Sequence, residues 1–501
     1  MMRFRKSAWS ELRPYGLLVA MMLGVCSASA WAASNTLPEP GPVRKVDVPV
    51  AQEKTLPNGL RVVVAQRKVT PLVTTTLYVK SGAEVDPAQL AGVANLSASL
   101  LVKGTATRSA PQLAQAADAL GGSLSSGAGY DQSRIGITVT TPKLAAALDL
   151  VADAALHPVF AQEEIERERK QTLDALRVSL SRPDRLARLV AARAAYGEGA
   201  YGHSASGTPA SLPRITRDDI ARLHQTYYRP DNAVLVFAGD IDLDQAVALA
   251  SKAFGEWKAP ATPLPAAAAT RGKSVLAPII VVDLPGTGQA AVASVHAGIA
   301  RNAAEYYPGI VANAVLGGSY SSRLNQEIRI KRGLSYGAGS SLDTRRDAGT
   351  LGASVQTKNP SAVEVVGLVL GEFDTLAHTL PPADELTARK ATLAGDFGFG
   401  LETTGGLAGQ VADLALYGLP LDELAHFVDK VQAVSGEQVC DFARMHLDRD
   451  GTTIVVAGDA KQFADALAKA YPKTERYLAA SLDFDSATLK PVVVKPPAEK
   501  H

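Results

Sequence analysis

Gly92-Val-Ala-Asn-Leu-Ser-Ala-Ser-Leu-Leu-Val-Lys-Gly-Thr105 is the stretch whose reading decides the fold of this 501-residue chain. It lies in a segment, 89–102, that reads as a helix, and the elements around it follow in order. Upstream, Leu60–Ala65 and Val73–Val79 read as strands, rich in β-branched residues and bounded by Pro57-Asn-Gly59. Downstream, Ile165, Leu173, Leu176 and Leu180 recur at near-helical spacing with Glu and Arg between them, as in an amphipathic helix. Thr216-Arg-Asp-Asp219 is a helix start, a hydroxyl cap followed by acids. Strands alternating with helices predict an α+β fold, a mixed α/β sandwich whose sheet is covered by helices on one face.

That design occurs twice. Arg229-Pro-Asp-Asn-Ala-Val-Leu-Val-Phe-Ala-Gly-Asp240 is echoed by Arg449-Asp-Gly-Thr-Thr-Ile-Val-Val-Ala-Gly-Asp459, and Arg169-Lys-Gln-Thr-Leu173 by Arg389-Lys-Ala-Thr-Leu393. The offsets, 219 and 220, agree closely enough to imply two homologous domains. The expected division is a secretory signal peptide at 1–33, a first domain at 45–257, a Pro/Ala linker at 258–275, a second domain at 276–475 and a flexible tail at 476–501. The signal assignment rests on Arg3, Arg5, Lys6 and Arg13 ahead of the apolar run Gly16–Cys26 and the small residues through Ala33. Its apolar run is too short to span a membrane. Loss of the first 30 residues removes a net +3 and takes the formal charge from +1 to about −2. No basic patch points to nucleic acid, and no later apolar run points to a membrane span. Cys440 is then alone, which excludes an internal disulfide. The expected location is secreted, and periplasmic in a Gram-negative source.

The quoted stretch resembles the active-site helix of the insulinase/pitrilysin zinc metallopeptidases, whose segment G-x-A-H-x-x-E-H-x-L-x-K-G-T places two His on one helical face with a general-base Glu between them. The resemblance extends over nearly all of 54–475 and includes Tyr201-Gly-His203 and Tyr228-Arg-Pro-Asp-Asn232. It puts the two His positions at Asn95 and Ser99, the Glu at Ala98, and the third zinc ligand, a Glu of a following helix, at Ala175. Glu168, the family's accessory acid, is kept, and Asp174 sits one residue out of register. A catalytic zinc takes imidazole or carboxylate ligands and activates a water. An amide, a hydroxyl and two methyl groups supply neither ligand nor base. The histidines give independent support: the closest two of the eight, His426 and His446, are 20 residues apart, so no pair shares a helix face at i, i+4. The chain is therefore expected to bind no metal of its own.

The second half carries Gly317-Gly-Ser-Tyr-Ser-Ser-Arg-Leu-Asn-Gln-Glu-Ile-Arg329-Ile-Lys-Arg-Gly-Leu-Ser-Tyr336-Gly. This resembles the family segment in which an Arg and a Tyr, seven residues apart, reach the peptide held at the zinc of the opposite half. Arg329 and Tyr336 have that spacing. A guanidinium and a phenol donate hydrogen bonds to a peptide carbonyl and to the oxyanion that develops on it. The alternative is a surface charge at Arg329 and a core aromatic at Tyr336. Some bacterial members of the family are heterodimers in which one chain supplies zinc and the other the Arg/Tyr pair, and this chain resembles the second kind. The resemblance implies a zinc-bearing partner subunit, a peptide substrate and activity only in that company; a non-catalytic peptide-binding or assembly scaffold is the rival reading. Three other patterns are discounted. Gly333-Leu-Ser335-Tyr-Gly337 fits a nucleophile elbow but follows a charged helical run rather than a strand. Gly286-Thr-Gly288 reads as the turn of a hairpin between strands 279–284 and 291–296. Gly272-Lys-Ser274 lacks the upstream Gly of a phosphate loop. Tyr201, His203, Glu168 and Gly405-Gly406 are each ambiguous between chamber lining and packing.

Overall fold

In the computed structural model, which describes residues 47–448 and 451–491, the two expected halves each build a six-stranded mixed sheet with helices packed on it. The first contains β1 (Ala51–Thr55), β2 (Arg61–Gln66), β3 (Leu72–Val79), β4 (Ser125–Ala128), β5 (Ser133–Thr140) and β6 (Ala233–Gly239) in the order β1-β2-β6-β3-β5-β4. Its helices are α1 (Val93–Leu100), α2 (Ala110–Ala119), α3 (Leu144–Leu156), α4 (Gln162–Leu180), α5 (Pro183–Tyr196), α6 (Arg217–Tyr227) and α7 (Leu243–Phe254). The second contains β7 (Ile279–Asp283), β8 (Gln289–Ala297), β9 (Ala338–Asp343), β10 (Thr350–Lys358), β11 (Thr453–Gly458) and β12 (Thr474–Leu478), ordered β12-β7-β11-β8-β10-β9. With it go α8 (Tyr306–Leu316), α9 (Ala362–His378), α10 (Ala383–Gly400), α11 (Thr404–Leu416), α12 (Glu423–Ala433), α13 (Gly436–His446) and α14 (Ala464–Ala470).

The sheets repeat one plan, with the strand from the echoed Ala-Gly-Asp segments at the centre. β6 pairs parallel to β2 (Val62↔Leu235) and antiparallel to β3 (Leu77↔Leu235); β11 does the same with β7 (Ile280↔Val455) and β8 (Val292↔Val456). The expected hairpin across Gly286–Gly288 is therefore corrected. β8 does return, but β11 inserts between it and β7, because an apolar strand buried on both faces gains most in the middle of a sheet.

Each sheet is finished by a helix from the other half. α5 lies across β8 and β11 of the second sheet and buries Leu186, Val190, Ala191 and Ala194 against Val282, Ala293, Val455 and Tyr477. α11, its counterpart one repeat later, lies across β6 and β3 of the first, where Thr404 Oγ1 is 2.8 Å from Thr74 Oγ1. Alanines along both helices let backbone approach sheet closely. Residues 48–491 accordingly fall in one compact unit.

Two local expectations change. The helix predicted over 89–102 is a 3₁₀ turn, Ala88–Leu90, followed by α1, because Gly92 takes the left-handed conformation (φ +94°) at the junction. A Cβ at Gly92 would lie 2.7 Å from Gly207 Cα, so the site is closed to other residues on two grounds. The loose tail predicted from 476 is ordered through 491: β12 pairs parallel to β7, Leu489 is fully buried, and Phe484 O accepts from Arg193 Nη2. The apolar residues of that segment pack with α5 in one cluster against the second sheet. Residues 1–33, the expected signal peptide, and 492–501 lie outside the described residues.

Candidate functional site

α1 and α4 pack side by side, and the open cleft between them, about 540 Å³, is lined by Asn95, Glu168, Gln171, Thr172 and Ala175 among others. Asn95 and Ala175, two of the four positions that the resemblance assigns to the zinc site, both line this space. Ala98 is fully buried in the core, and Ser99 is half-buried and outside the cleft lining. Asn95 Nδ2 donates to Ala128 O of the edge strand β4 at a long 3.4 Å. Asp174 does not replace the missing ligand: its carboxylate is half exposed and engaged by Arg177 Nη1 at 2.6 Å. The donor set is an amide, a hydroxyl and two methyl groups, which does not fit zinc. Among the described residues no group of three or more His, Cys, Asp or Glu side chains is disposed to hold a metal ion.

The parts of the motif that persist have structural work. Asp86 receives Gly92 N and Ala94 N at 2.7 and 2.9 Å and so caps α1 from outside. Lys103 Nζ lies 3.4 Å from Glu168 Oε2, bridging α1's far end to α4. Thr105 Oγ1 donates to Asp153 Oδ2 at 2.8 Å. The frame survives the loss of the chemistry because these bonds hold the helix in place.

In the second half, the segment after α8 is fastened at many points. Arg389, 7% exposed, reaches from α10 to Ser319 Oγ (3.0 Å), Ser321 Oγ (2.6 Å) and Ser321 O. Arg323 makes a forked pair with Glu385, and Asn325 Nδ2 donates to Tyr320 O. On this base stands a π-helix, Asn325–Ile330, a wide turn frequent at functional sites. It carries Arg329, whose guanidinium sits over the Tyr320 ring at 4.9 Å. Tyr336 is 88% exposed, which removes the core-aromatic alternative; Tyr320, at 63%, is a second exposed ring that the sequence reading missed. Ser335 Oγ donates to Gly337 O and accepts from Gly337 N, a local turn and no nucleophile. Arg329 and Tyr336 are not part of the lining of the Asn95 cleft.

Between the halves lies an ionic cluster without any sequence signature. Arg346, on the β9–β10 connection, donates to Glu84 Oε1 (2.8 Å) and Asp131 Oδ1 (3.2 Å), both carboxylates buried in the first half. Asp131 also accepts from the Tyr201 hydroxyl and, at 3.2 Å, from Tyr417. Burial pushes the Glu84 carboxyl up to about 7 against the opposing pull of Arg346. Tyr201 therefore belongs to this cluster. His203 is buried, its imidazole driven toward the neutral form by desolvation, in the wall of a cavity of about 610 Å³ beside Glu84 and Arg346. Gly406 N donates to Thr403 Oγ1, so the Thr-Thr-Gly-Gly stretch is a helix start that lets α11 pass close to Gly400 O.

Residues 61–208 match the family model described as insulinase (peptidase family M16), and residues 214–393 that of the peptidase M16 inactive domain. The chain belongs to the insulinase, or M16, peptidase family. Among its relatives, an uncharacterized zinc protease of Streptomyces coelicolor is 28% identical over 444 residues, covering 86% of this chain and 96% of the relative. One of Bacillus subtilis is 25% identical over 396 residues, covering 79% and 95%. Of solved structures, the peptidase M16 inactive domain from Pseudomonas fluorescens matches with a TM-score of 0.76 at 27% identity, covering 81% of this chain and 97% of that one. A Helicobacter pylori protease shares the fold, with a TM-score of 0.78 at 21% identity, over 82% and 100% of the two chains. The relatives' names speak of zinc, whereas the positions that the resemblance assigns to zinc ligands hold Asn95, Ser99 and Ala175 here.

Proposed function

We propose that this chain is the zinc-free subunit of a secreted, heteromeric M16 peptidase. Arg329 and Tyr336 would engage the peptide at the active site of a zinc-bearing partner subunit. The observation that carries the reading is the contrast between the two halves. The first half has no ligand or base at the family's catalytic positions, while the second keeps Arg329 on a π-helix braced by Arg389, Arg323 and Asn325, with Tyr336 free in solvent. Arg329 is half-buried over the Tyr320 ring, and a guanidinium so placed is suited to orienting a scissile carbonyl and countering oxyanion charge. Among the described residues no helix is long and apolar enough to cross a membrane, which is compatible with a secreted subunit.

The test is to purify the tagged chain from its own host, identify every companion and count zinc. About one zinc per pair with a second M16 chain is expected; one zinc per chain with no companion would refute the reading. In the reconstituted pair, Arg329→Ala should preserve assembly and lower kcat by about 10²-fold, the scale of losing one oxyanion donor. Unchanged turnover would leave the scaffold reading in its place.

A further inference from the structure

The cleft beside Asn95 has a charge that the lost metal chemistry does not explain. Arg185 and Arg188, from the first turns of α5, stand in its wall. Together with Arg182 they share a single carboxylate, Asp184. Arg182 Nε is 3.1 Å from its Oδ1, and Arg188 Nη2 and Arg185 Nε are 3.0 and 3.7 Å from its Oδ2. Asp184 is 5% exposed, whereas all three arginine side chains are more than half exposed. Glu168, the carboxylate in the wall, is already matched by Lys103. Two guanidiniums in the wall, sharing Asp184 with Arg182 outside it, leave an excess of positive charge facing the cleft, and Arg185, held only by its long contact, keeps most of its donors free. The space continues. Arg188 and Ala192 also line a neighbouring cavity of about 380 Å³ on the second sheet, with the hydroxyls of Ser340 and Ser341 and with Arg345, which is paired to Asp343 at 2.7 Å in the same wall.

We propose that this trough binds the carboxylate groups of extended peptides, with Arg185 and Arg188 as the recognising guanidiniums. Carboxylate is the ligand chemistry because a planar guanidinium with free donors pairs with it bidentately, and two open cavities that share Arg188 and Ala192 offer room for an extended chain rather than a compact solute. Positive charge that a catalytic metal would bring to this place is supplied by α5 instead. Binding at the trough needs no partner and no turnover, so its failure leaves the subunit reading standing, and the converse holds.

The experiment is fluorescence anisotropy on the purified full chain with three labelled peptides. One is glutamate-rich with an amidated C-terminus, one is its glutamine counterpart ending in a free carboxylate, and one is that counterpart amidated. At least one of the first two is expected to bind about tenfold or more tightly than the third, the scale of a charge-assisted pair, and to weaken as salt is raised. Which of the two binds decides between side-chain and terminal carboxylates. Arg185→Gln with Arg188→Gln should abolish the preference; Arg182 still pairs with the buried Asp184, and an unchanged circular dichroism spectrum checks that the fold is kept. A charge-matched control, Arg167→Gln with Arg177→Gln on the exposed side of α4, should retain it. Equal binding of all three peptides, or equal loss in the control, would overturn the proposal.

Discussion

Arg346 brings one positive charge into a space that holds two buried carboxylates, Glu84 and Asp131, so one negative charge is left without a partner unless a proton supplies it. Glu84 is the group displaced, to about 7 from an ordinary 4.5, and burial is the main cause. Its folded-state value lies above its unfolded one. The neutral carboxyl's contribution is therefore complete below about pH 4.5 and is lost as pH rises through 7, an effect of up to about 3 kcal/mol. Glu84→Gln removes the titrating group while keeping its shape. Urea unfolding at pH 5 and at pH 8 should show the variant gaining on the native chain by about that amount between the two; a constant gap would assign the titration elsewhere, with Asp86, also buried and raised, the next suspect. No sequence pattern announced this cluster, since its members stand 215 and 262 residues apart and meet only when the two halves dock.

At the scale of elements, the repeated Arg-Lys-x-Thr-Leu has a physical cause. Arg169 on α4 donates to the carbonyls of Leu212 and Ile215 ahead of α6, and Lys390 on α10 donates to Gln432 O at 2.8 Å ahead of α13, so in each half the same helix pins the corresponding connection, while Arg389 holds the Ser319–Ser321 loop. Such local features were legible: β2 and β3 within a residue or two, the amphipathic α4 with Ile165 and Leu176 buried, and the Thr216–Asp219 capping box. Strand order and the origin of each sheet's last covering helix were not, because alternation tells which face of a strand is buried and never by what. The candidate site divides likewise. Asn95, Ala175, Arg329 and Tyr336 came from the family resemblance as candidates, while Tyr320 and the Arg185/Arg188 pair needed the fold. Arg389→Ala should release the loop. A buried, multiply bonded guanidinium lost in this way costs about 2–3 kcal/mol, and chymotrypsin should cut after the exposed Tyr320 several times faster while cleavage elsewhere is unchanged. Uniformly faster cleavage would mean a global loss of stability rather than a freed loop.

At the scale of the molecule, the exchange of α5 and α11 decides how the protein comes apart. Two duplicated domains joined by a Pro/Ala stretch would ordinarily unfold one after the other, each with its own core. Here the sheet of each half is left with an uncovered apolar face unless the other half's helix is in place, and Leu186, Val190 and Ala191 contribute to a core made of both. Opening either half therefore exposes apolar surface in the other, at about 25 cal/mol for each Å² of it, which disfavours a half-folded state. Two native probes separate the halves. Trp257 packs beside Phe254 in the first core, and Cys440 is buried in α13 of the second. In a chain beginning at residue 34, which lacks Trp9, Trp31 and Cys26, each probe is unique. Tryptophan fluorescence and pulsed thiol labelling should give one common urea midpoint, and Leu186→Ala, costing about 2–5 kcal/mol, should move both together. Two midpoints, or a shift confined to the fluorescence of the first half, would show that the helices rest on the opposite sheets without holding them.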